Sequence, residues 1–155
     1  MTTPIDLQEK IVKDLKTLFR NYALLPNSND KSVGVNIYAQ SVPYQGAENE
    51  SDVFPYVEVR LEEGKDDGTT HRVTVAFVVG IYDAGEDNQG HIAVMDILDR
   101  IHYRYGTNAV VGKNDAHQTG EWSWMLQEDS YYPYHFGAIV TDFVITSIRR
   151  EDPYA

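Results

Sequence analysis

The stretch RVTVAFVVGIY, Arg72 to Tyr82, places Val73, Val75, Phe77, Val79 and Ile81 at alternate positions. A side-chain period of two puts all five on one face of an extended chain, so this segment must be a strand with a fully apolar side. Its neighbours fall into place around it. Upstream, Phe54 to Glu62 sets Tyr56 and Glu58 on one face and Val57, Val59 and Leu61 on the other, with Pro55 at the strand's edge, where a missing N–H costs least. Between the two, EEGKDDGTT carries Gly64 and Gly68 and reads as the polar tip of a hairpin. Downstream, Asp83 to Gly90 is an acidic loop in which Asp87 or Asn88 is expected to cap the next helix. That helix, His91 to Tyr105, has Val94, Ile97, Leu98, Ile101 and Tyr105 as its buried stripe, and Gly106 is expected to end it.

The rest of the chain supplies the remaining elements. Thr3-Pro4 opens a helix, with Thr3 as cap and Asp6 placed where the helix dipole favours a negative charge. Ile5, Leu7, Ile11, Leu15, Leu18 and Tyr22 recur at helical spacing, and Leu25-Pro26-Asn27-Ser28-Asn29-Asp30 stops the run. Val33 to Ala39 alternates as a strand, and Ser41 to Asp52 is a polar loop. Ala109 to Gly120 is polar and glycine-containing and is expected to be a mobile excursion, followed by a short strand from Trp122 to Gln127. Ser130 to Tyr134 is an aromatic turn. His135 to Ile148 is the closing strand, with Phe136, Ala138, Val140, Asp142 and Val144 on one side, and the tail RREDPYA is expected to fray. The order α-β-β-β-α-β-β predicts a single α+β domain over 1–155. Its mixed or mainly antiparallel sheet is covered on one face by two helices, with long loops and a β-hairpin projecting.

Charge and composition narrow the function classes. Across 155 residues there are 24 acidic and 13 basic side chains, a formal charge of −11. Binding to nucleic acid through phosphates needs clustered Lys and Arg, and no basic run exceeds Arg149-Arg150. Cysteine is absent, which removes disulfides, thiolate chemistry and cysteine metal sites. The start MTTPIDLQEK lacks a basic segment followed by an apolar one, and no apolar run approaches the ~20 residues of a membrane helix, so cytosolic synthesis is the expectation.

Motifs for chemistry are sparse. No pair among His71, His91, His102, His117 and His135 has the HExxH spacing, and Asp99 with His102 reads as an exposed carboxylate beside a histidine. The loop from Asp83 departs from a calcium loop at its third, sixth and twelfth positions, Gly85, Asn88 and Val94. Neither a GxSxG elbow nor a Walker or GxGxxG loop is present. No catalytic, cofactor-binding or metal-binding residues are therefore expected. The acids Glu62, Glu63, Asp66 and Asp67 read either as a solvated hairpin tip or as an acidic surface facing DNA or a partner. The aromatics Trp122, Trp124, Tyr131, Tyr132, Tyr134 and Phe136 divide between core and subunit interface, with Trp122 and Trp124 on one face and Met125 on the other.

The element order, together with Phe54-Pro55-Tyr56-Val57-Glu58-Val59 and Val140-Thr141-Asp142-Phe143-Val144-Ile145, resembles the tail terminator, or tail-to-head joining, proteins of long-tailed bacteriophages. The resemblance covers nearly the whole chain. It implies a non-enzymatic ring, usually a hexamer, built into the virion at the tail and neck after assembly in the host cytoplasm. Such a ring caps the tail tube protein, ends its polymerisation, and faces a head-completion or connector protein, while DNA passes through the lumen without specific binding. No catalytic residues or cofactors carry over. Exposure patterns place the ring and tube contacts at Glu62, Glu63, Lys65, Asp66 and Asp67 on the hairpin, at Lys113, Asn114 and His117 on the excursion, and at Trp122, Trp124, Tyr131 and Tyr132. Alternatives are a related head-completion or minor tail component, or a small cytosolic ligand-binding or enzymatic α+β domain.

Overall fold

The computed structural model describes residues 2–43 and 53–145, and has an α+β fold. Helix α1 (Pro4–Leu18) is followed by two short strands, β1 (Leu25–Pro26) and β2 (Ser32–Val33), which pair as a separate ribbon. Then come β3 (Asn36–Ala39), β4 (Tyr56–Asp66), β5 (His71–Tyr82), α2 (His91–Thr107), β6 (Val110–Val111), β7 (Ala116–Leu126) and β8 (Tyr134–Ile145). The main sheet has the order β3-β4-β5-β8-β7-β6; β3 runs parallel to β4 and every other pair is antiparallel.

The alternation of β5 sets the layers. Val73, Val75, Phe77, Val79 and Ile81 meet Val57 and Val59 of β4 and Ile139, Phe143 and Ile145 of β8 on one face. Leu7, Ile11 and Leu15 of α1 and Val94, Ile97, Leu98 and Ile101 of α2 close over that face to form a single core. Two tyrosine hydroxyls tie α2 to α1 and to the segment just after it. Buried Tyr105 donates its hydroxyl to Asp14 Oδ2 (3.0 Å), which Arg104 also approaches (3.4 Å), and Tyr22 donates to Asp96, which Arg100 pairs with at 3.2 Å.

Several boundaries differ from the sequence reading, each for a local reason. The Thr3–Asp6 capping box forms as the sequence suggests, but Ile5 lies outside the buried stripe, 56% exposed, and Gln8 is buried in its place. Gln8 Nε2 donates to Val59 O (2.8 Å) and to Gln40 Oε1 (2.9 Å), so its buried amide nitrogen is satisfied. The helix ends at Leu18 with Phe19 as C-cap, short of Tyr22. The expected strand from Val33 divides: Val33 joins the ribbon, where Asn27 Oδ1 accepts from the backbone of Asn29 and Lys31, and only Asn36–Ala39 enters the main sheet. Neither Asp87 nor Asn88 caps α2. Gly90 holds that position because a Cβ there would meet the His135 ring at 2.1 Å. Gly106 does not end α2, which runs one residue further. Arg104 Nη1 bonds Asn108 O (2.7 Å) and Thr107 Oγ1 bonds Tyr103 O (2.7 Å), satisfying carbonyls that a left-handed glycine would otherwise serve.

The largest correction concerns 109–120. The expected mobile excursion is instead a two-strand corner: Val110 and Val111 pair with His117 and Ala116, and β7 then continues along β8. Val111 and Ala116 are buried, and Lys10 Nζ holds Asp115 Oδ2 at 3.0 Å, anchoring the corner to α1. The β4–β5 ladder is also longer than expected, running to Asp66 and His71 past a bulge between Leu61 and Glu63, so of the hairpin acids only Asp67 belongs to the turn. Most of the polar loop ending at Asp52, the last part of the closing strand and the RREDPYA tail lie outside the described residues.

The buried tyrosines give this fold an alkaline limit. Burial first, and then the neighbouring Asp96, pushes the Tyr22 hydroxyl up to about 12, and burial followed by Glu58 does the same for Tyr56. Burial, then Asp14, also pushes Tyr105 up. Unfolded tyrosines ionise near ~10, so above that pH the unfolded chain has released protons that the folded chain retains. Stability from these groups is complete below about pH 10 and falls as pH rises toward 12. Urea midpoints measured across that interval are expected to decline, and absorbance at the tyrosinate band should show a late-titrating class that disappears in denaturant.

Candidate functional site

The unbroken register of β5 with β8, His71 opposite Ile145 through Tyr82 opposite Tyr134, gives the sheet two ends. Ala116 of β7 also pairs with Ile145, so the β4–β5 tip and the β6–β7 corner lie at the same end, on either side of β8. Glu62, Glu63, Lys65, Asp66, Asp67, Lys113, Asn114 and His117, all exposed, are thereby gathered at this charged end. The other residues singled out from sequence do not join them. Tyr131 and Tyr132 lie in the turn between β7 and β8, at the opposite end, with Trp124 two residues from the end of β7. Over the 12 residues of β5, at ~3.4 Å per residue, the ends stand roughly 35–40 Å apart.

At the charged end, many side chains build the turns that carry them. Asp66 Oδ1 accepts from Gly68 N (2.9 Å), and Asp67 Oδ1 accepts from Thr69 N (2.8 Å) and Thr70 N (2.7 Å), with Gly68 at φ 88°. The bonds from Thr70 and Thr69 hold the Asp67 carboxyl below its ordinary range. Glu62 lies 3.5 Å from Arg60, and Asp66 lies 3.9 Å from His71. In the corner, Asn114 takes a left-handed conformation (φ 64°), Lys113 N bonds Asp115 Oδ2 (3.0 Å), and the Lys10 ammonium keeps the Asp115 carboxyl below its usual range. On the face without helices, Thr74 Oγ1 (2.7 Å) and Arg72 Nη1 (3.2 Å) both bond Asp142, which places the polar residues of β8 at this same end.

The other end is aromatic. Phe54 packs against Tyr56, Tyr134 and Phe136 at ring separations of 5.2, 4.9 and 6.1 Å, and Tyr134 also meets Tyr82 at 5.8 Å. These rings form a second small core on the side of the sheet away from the helices, floored by Gly80. Beside it, Tyr131 and Tyr132 stand 54% and 48% exposed, and Tyr132 donates its hydroxyl to Ala84 O at 2.6 Å. An open cleft of about 260 Å³ runs between the start of α2 and this turn, with His91, Ser130, Tyr131 and His135 among its walls.

Trp122 and Trp124 share the helix-facing side of β7 as expected, but not the same environment. Trp122 is half-buried, stacked on His102 of α2 with ring centres 4.7 Å apart, which makes it a core residue and answers the pairing of His102 with Asp99 considered above. Trp124 is 55% exposed and Met125, on the other face, 66%. Sequence reasoning missed the first half of β7: the run AHQTG shows no apolar alternation because an edge strand can be polar on both faces. Only the paired valines Val110-Val111 before it signalled order.

Among the described residues no cluster of three or more His, Cys, Asp or Glu side chains is arranged to hold a metal ion, and no helix is long and apolar enough to cross a membrane. No protein-family model matches the chain, and neither does any curated protein sequence.

The aromatic end supplies a direct stability test. A Cβ on Gly80 would lie 2.3 Å from Tyr56 Cε1, so Gly80→Ala must displace the ring and disorder the small core. The expected cost is about 1–3 kcal/mol, typical of overpacking, read from urea denaturation. Gly34→Ala, with nothing within 4 Å of the added methyl, serves as the neutral control.

Proposed function

We propose that this protein is a structural component of a long-tailed phage virion, a tail terminator that caps the tail tube as a ring, ends tube polymerisation and presents a surface to the head connector. The observation that carries the reading is the division of one sheet into two chemically distinct ends, a charged hairpin and corner at one and exposed tyrosines at the other. A terminator needs that division, because its two ends meet different partners. The resemblance of Phe54–Val59 and Val140–Ile145 to the terminator family supports the same reading.

In such a ring the contacts between neighbours are head-to-tail, one surface of each subunit against a different surface of the next, and closure fixes the number, six in the family resembled. The net charge of −11 suits a lumen through which DNA slides without adhering. Arg60 pairs with Glu62, and the carboxylates of Asp66 and Asp67 hold the turn, so Glu63 is the hairpin acid left to act outward. A head-completion or minor tail component would share these features and differ only in the identity of the partners.

Light scattering coupled to size exclusion, over a concentration series and with added tail tubes, tests the reading, with negative-stain images of the large fraction. Closed rings of about six subunits with a central hole are expected. Glu63→Lys should reduce ring yield while Glu63→Gln leaves it unchanged. Absence of any ring under all these conditions would overturn the proposal.

A further inference from the structure

The two edges of the sheet are treated very differently. At one, β3 covers β4 only as far as Val59. Beyond it Gln40, at φ 68°, turns its side chain into the next rung: its Oε1 accepts from Leu61 N (2.9 Å), and its Nε2 donates to Leu61 O (3.2 Å). The edge then continues through a bulge into Glu62, Glu63, Lys65 and Asp66. A side-chain cap, a bulge and a run of charges are the ordinary means by which an edge is kept from pairing.

The β7 edge has a bulge between Thr119 and Ser123, with Gly120 at φ 76°, but from Ser123 to Leu126 it carries neither a side-chain cap nor a charge. The pairing with β6 stops at His117, with one further bond from Gln118 N to Ala109 O (2.8 Å), and no described strand lies outside β7 from Thr119 to Leu126. The segment Trp122-Ser123-Trp124-Met125-Leu126 carries no charge. Gln127 N bonds Phe136 O (3.1 Å), and antiparallel pairing alternates from there, so Ser123 and Met125 direct their backbone groups to β8 while Trp124 and Leu126 direct theirs outward. An unpaired backbone edge therefore coincides with the exposed Trp124 and Met125. Met125 also walls an apolar groove with Val78, Phe136 and Ala138 on the face without helices.

We propose that this edge is covered by the same edge of a second copy of the chain, the two β7 strands pairing antiparallel about a two-fold axis at Trp124. The segment is self-complementary in that register. Trp124 faces its counterpart, Trp122 faces the partner's Leu126 on the helix side, and Ser123 faces the partner's Met125 on the other side. Glu121 falls opposite the partner's Gln127, an acid against a neutral amide. Centring one residue later would set Glu121 against the partner's Asp129, and centring one residue earlier would set it against the partner's Met125. Charge also rejects the chain's own opposite edge as occupant, because Glu62, Glu63 and Asp66 would run along a strand flanked by Glu121, Glu128 and Asp129. Main-chain pairing supplies the attraction and the tryptophans set the register.

This contact is separate from the ring of the preceding section. A two-fold contact joins like surfaces and closes at two copies, whereas a ring joins unlike ones. The pairing thus gives the free subunit a covered edge whether or not it later enters a ring.

Sedimentation of the full chain over a concentration series is expected to show a dimer, and Trp124→Lys to raise its Kd at least tenfold with an unchanged circular dichroism spectrum and urea midpoint, since Trp124 is more than half exposed. The chain contains no cysteine, so Trp124→Cys provides a second readout. Paired residues in such a ladder have Cα atoms ~5.5 Å apart, within disulfide range. Mild oxidation should therefore link Trp124→Cys into dimers far faster than Ile92→Cys, placed on exposed helix surface. A monomer at every concentration, an oligomer indifferent to Trp124→Lys, or equal cross-linking at the two positions would overturn the pairing. Rings whose yield Trp124→Lys leaves unchanged, with no dimer, would sustain the terminator reading and sink this one; a dimer abolished by Trp124→Lys, with no ring under any condition, would do the reverse.

Discussion

An antiparallel ladder of twelve residue pairs between β5 and β8, from His71–Ile145 to Tyr82–Tyr134, holds the molecule in register, and nearly every other placement follows from it. A slip of one residue would turn Val73, Val75, Phe77, Val79 and Ile81 away from the helices and expose the core, so the ladder is fixed by burial as much as by its bonds. With that pair fixed, β4 and β7 dock on its flanks and their turns emerge at predetermined ends. The helices add a second constraint: Tyr105–Asp14 sets α2 against α1, and Tyr22–Asp96 ties the segment that follows α1 to α2.

The acidic surplus means less for the surface than its size suggests. Asp14 and Asp96 join the helices, Asp66, Asp67 and Asp115 form turns, Asp83 Oδ1 accepts from Gly85 N, and Asp142 binds Thr74 and Arg72. Buried Glu58 accepts from Val42 N at 2.8 Å. Many of the carboxylates are thus local organisers of backbone and cross-strand contacts. Interaction surfaces have to be sought in the remainder, and in the exposed aromatic residues.

How far the fold was legible followed from how many neighbours decide each residue. β5, β8 and the α2 stripe repeat at a period that one strand or helix can display alone, and the sequence reveals them. Gly90 looks like a loop glycine until His135, distant in sequence, is brought against it. Ile5 matches the α1 stripe but stays exposed, and Gln8 takes a buried place in it because its amide finds acceptors in Val59 O and Gln40 Oε1. The start of β7 gives no signal at all, since its faces are partly exposed and its order comes from Val111, Ala116 and the Lys10–Asp115 pair. The candidate contact residues could be named from composition, but their division between two ends depends on pairings that only the folded sheet displays.

The length of that central ladder has a consequence for how the surface can change over time. Residues more than about 7–10 Å apart with no shared partner contribute to stability almost independently. The hairpin tip and the tyrosine turn are separated by the full 12-residue length of β5, and none of the described side-chain bonds joins them. Substitutions at one end are therefore energetically invisible at the other, so either end could be rewritten by mutation without renegotiating its opposite.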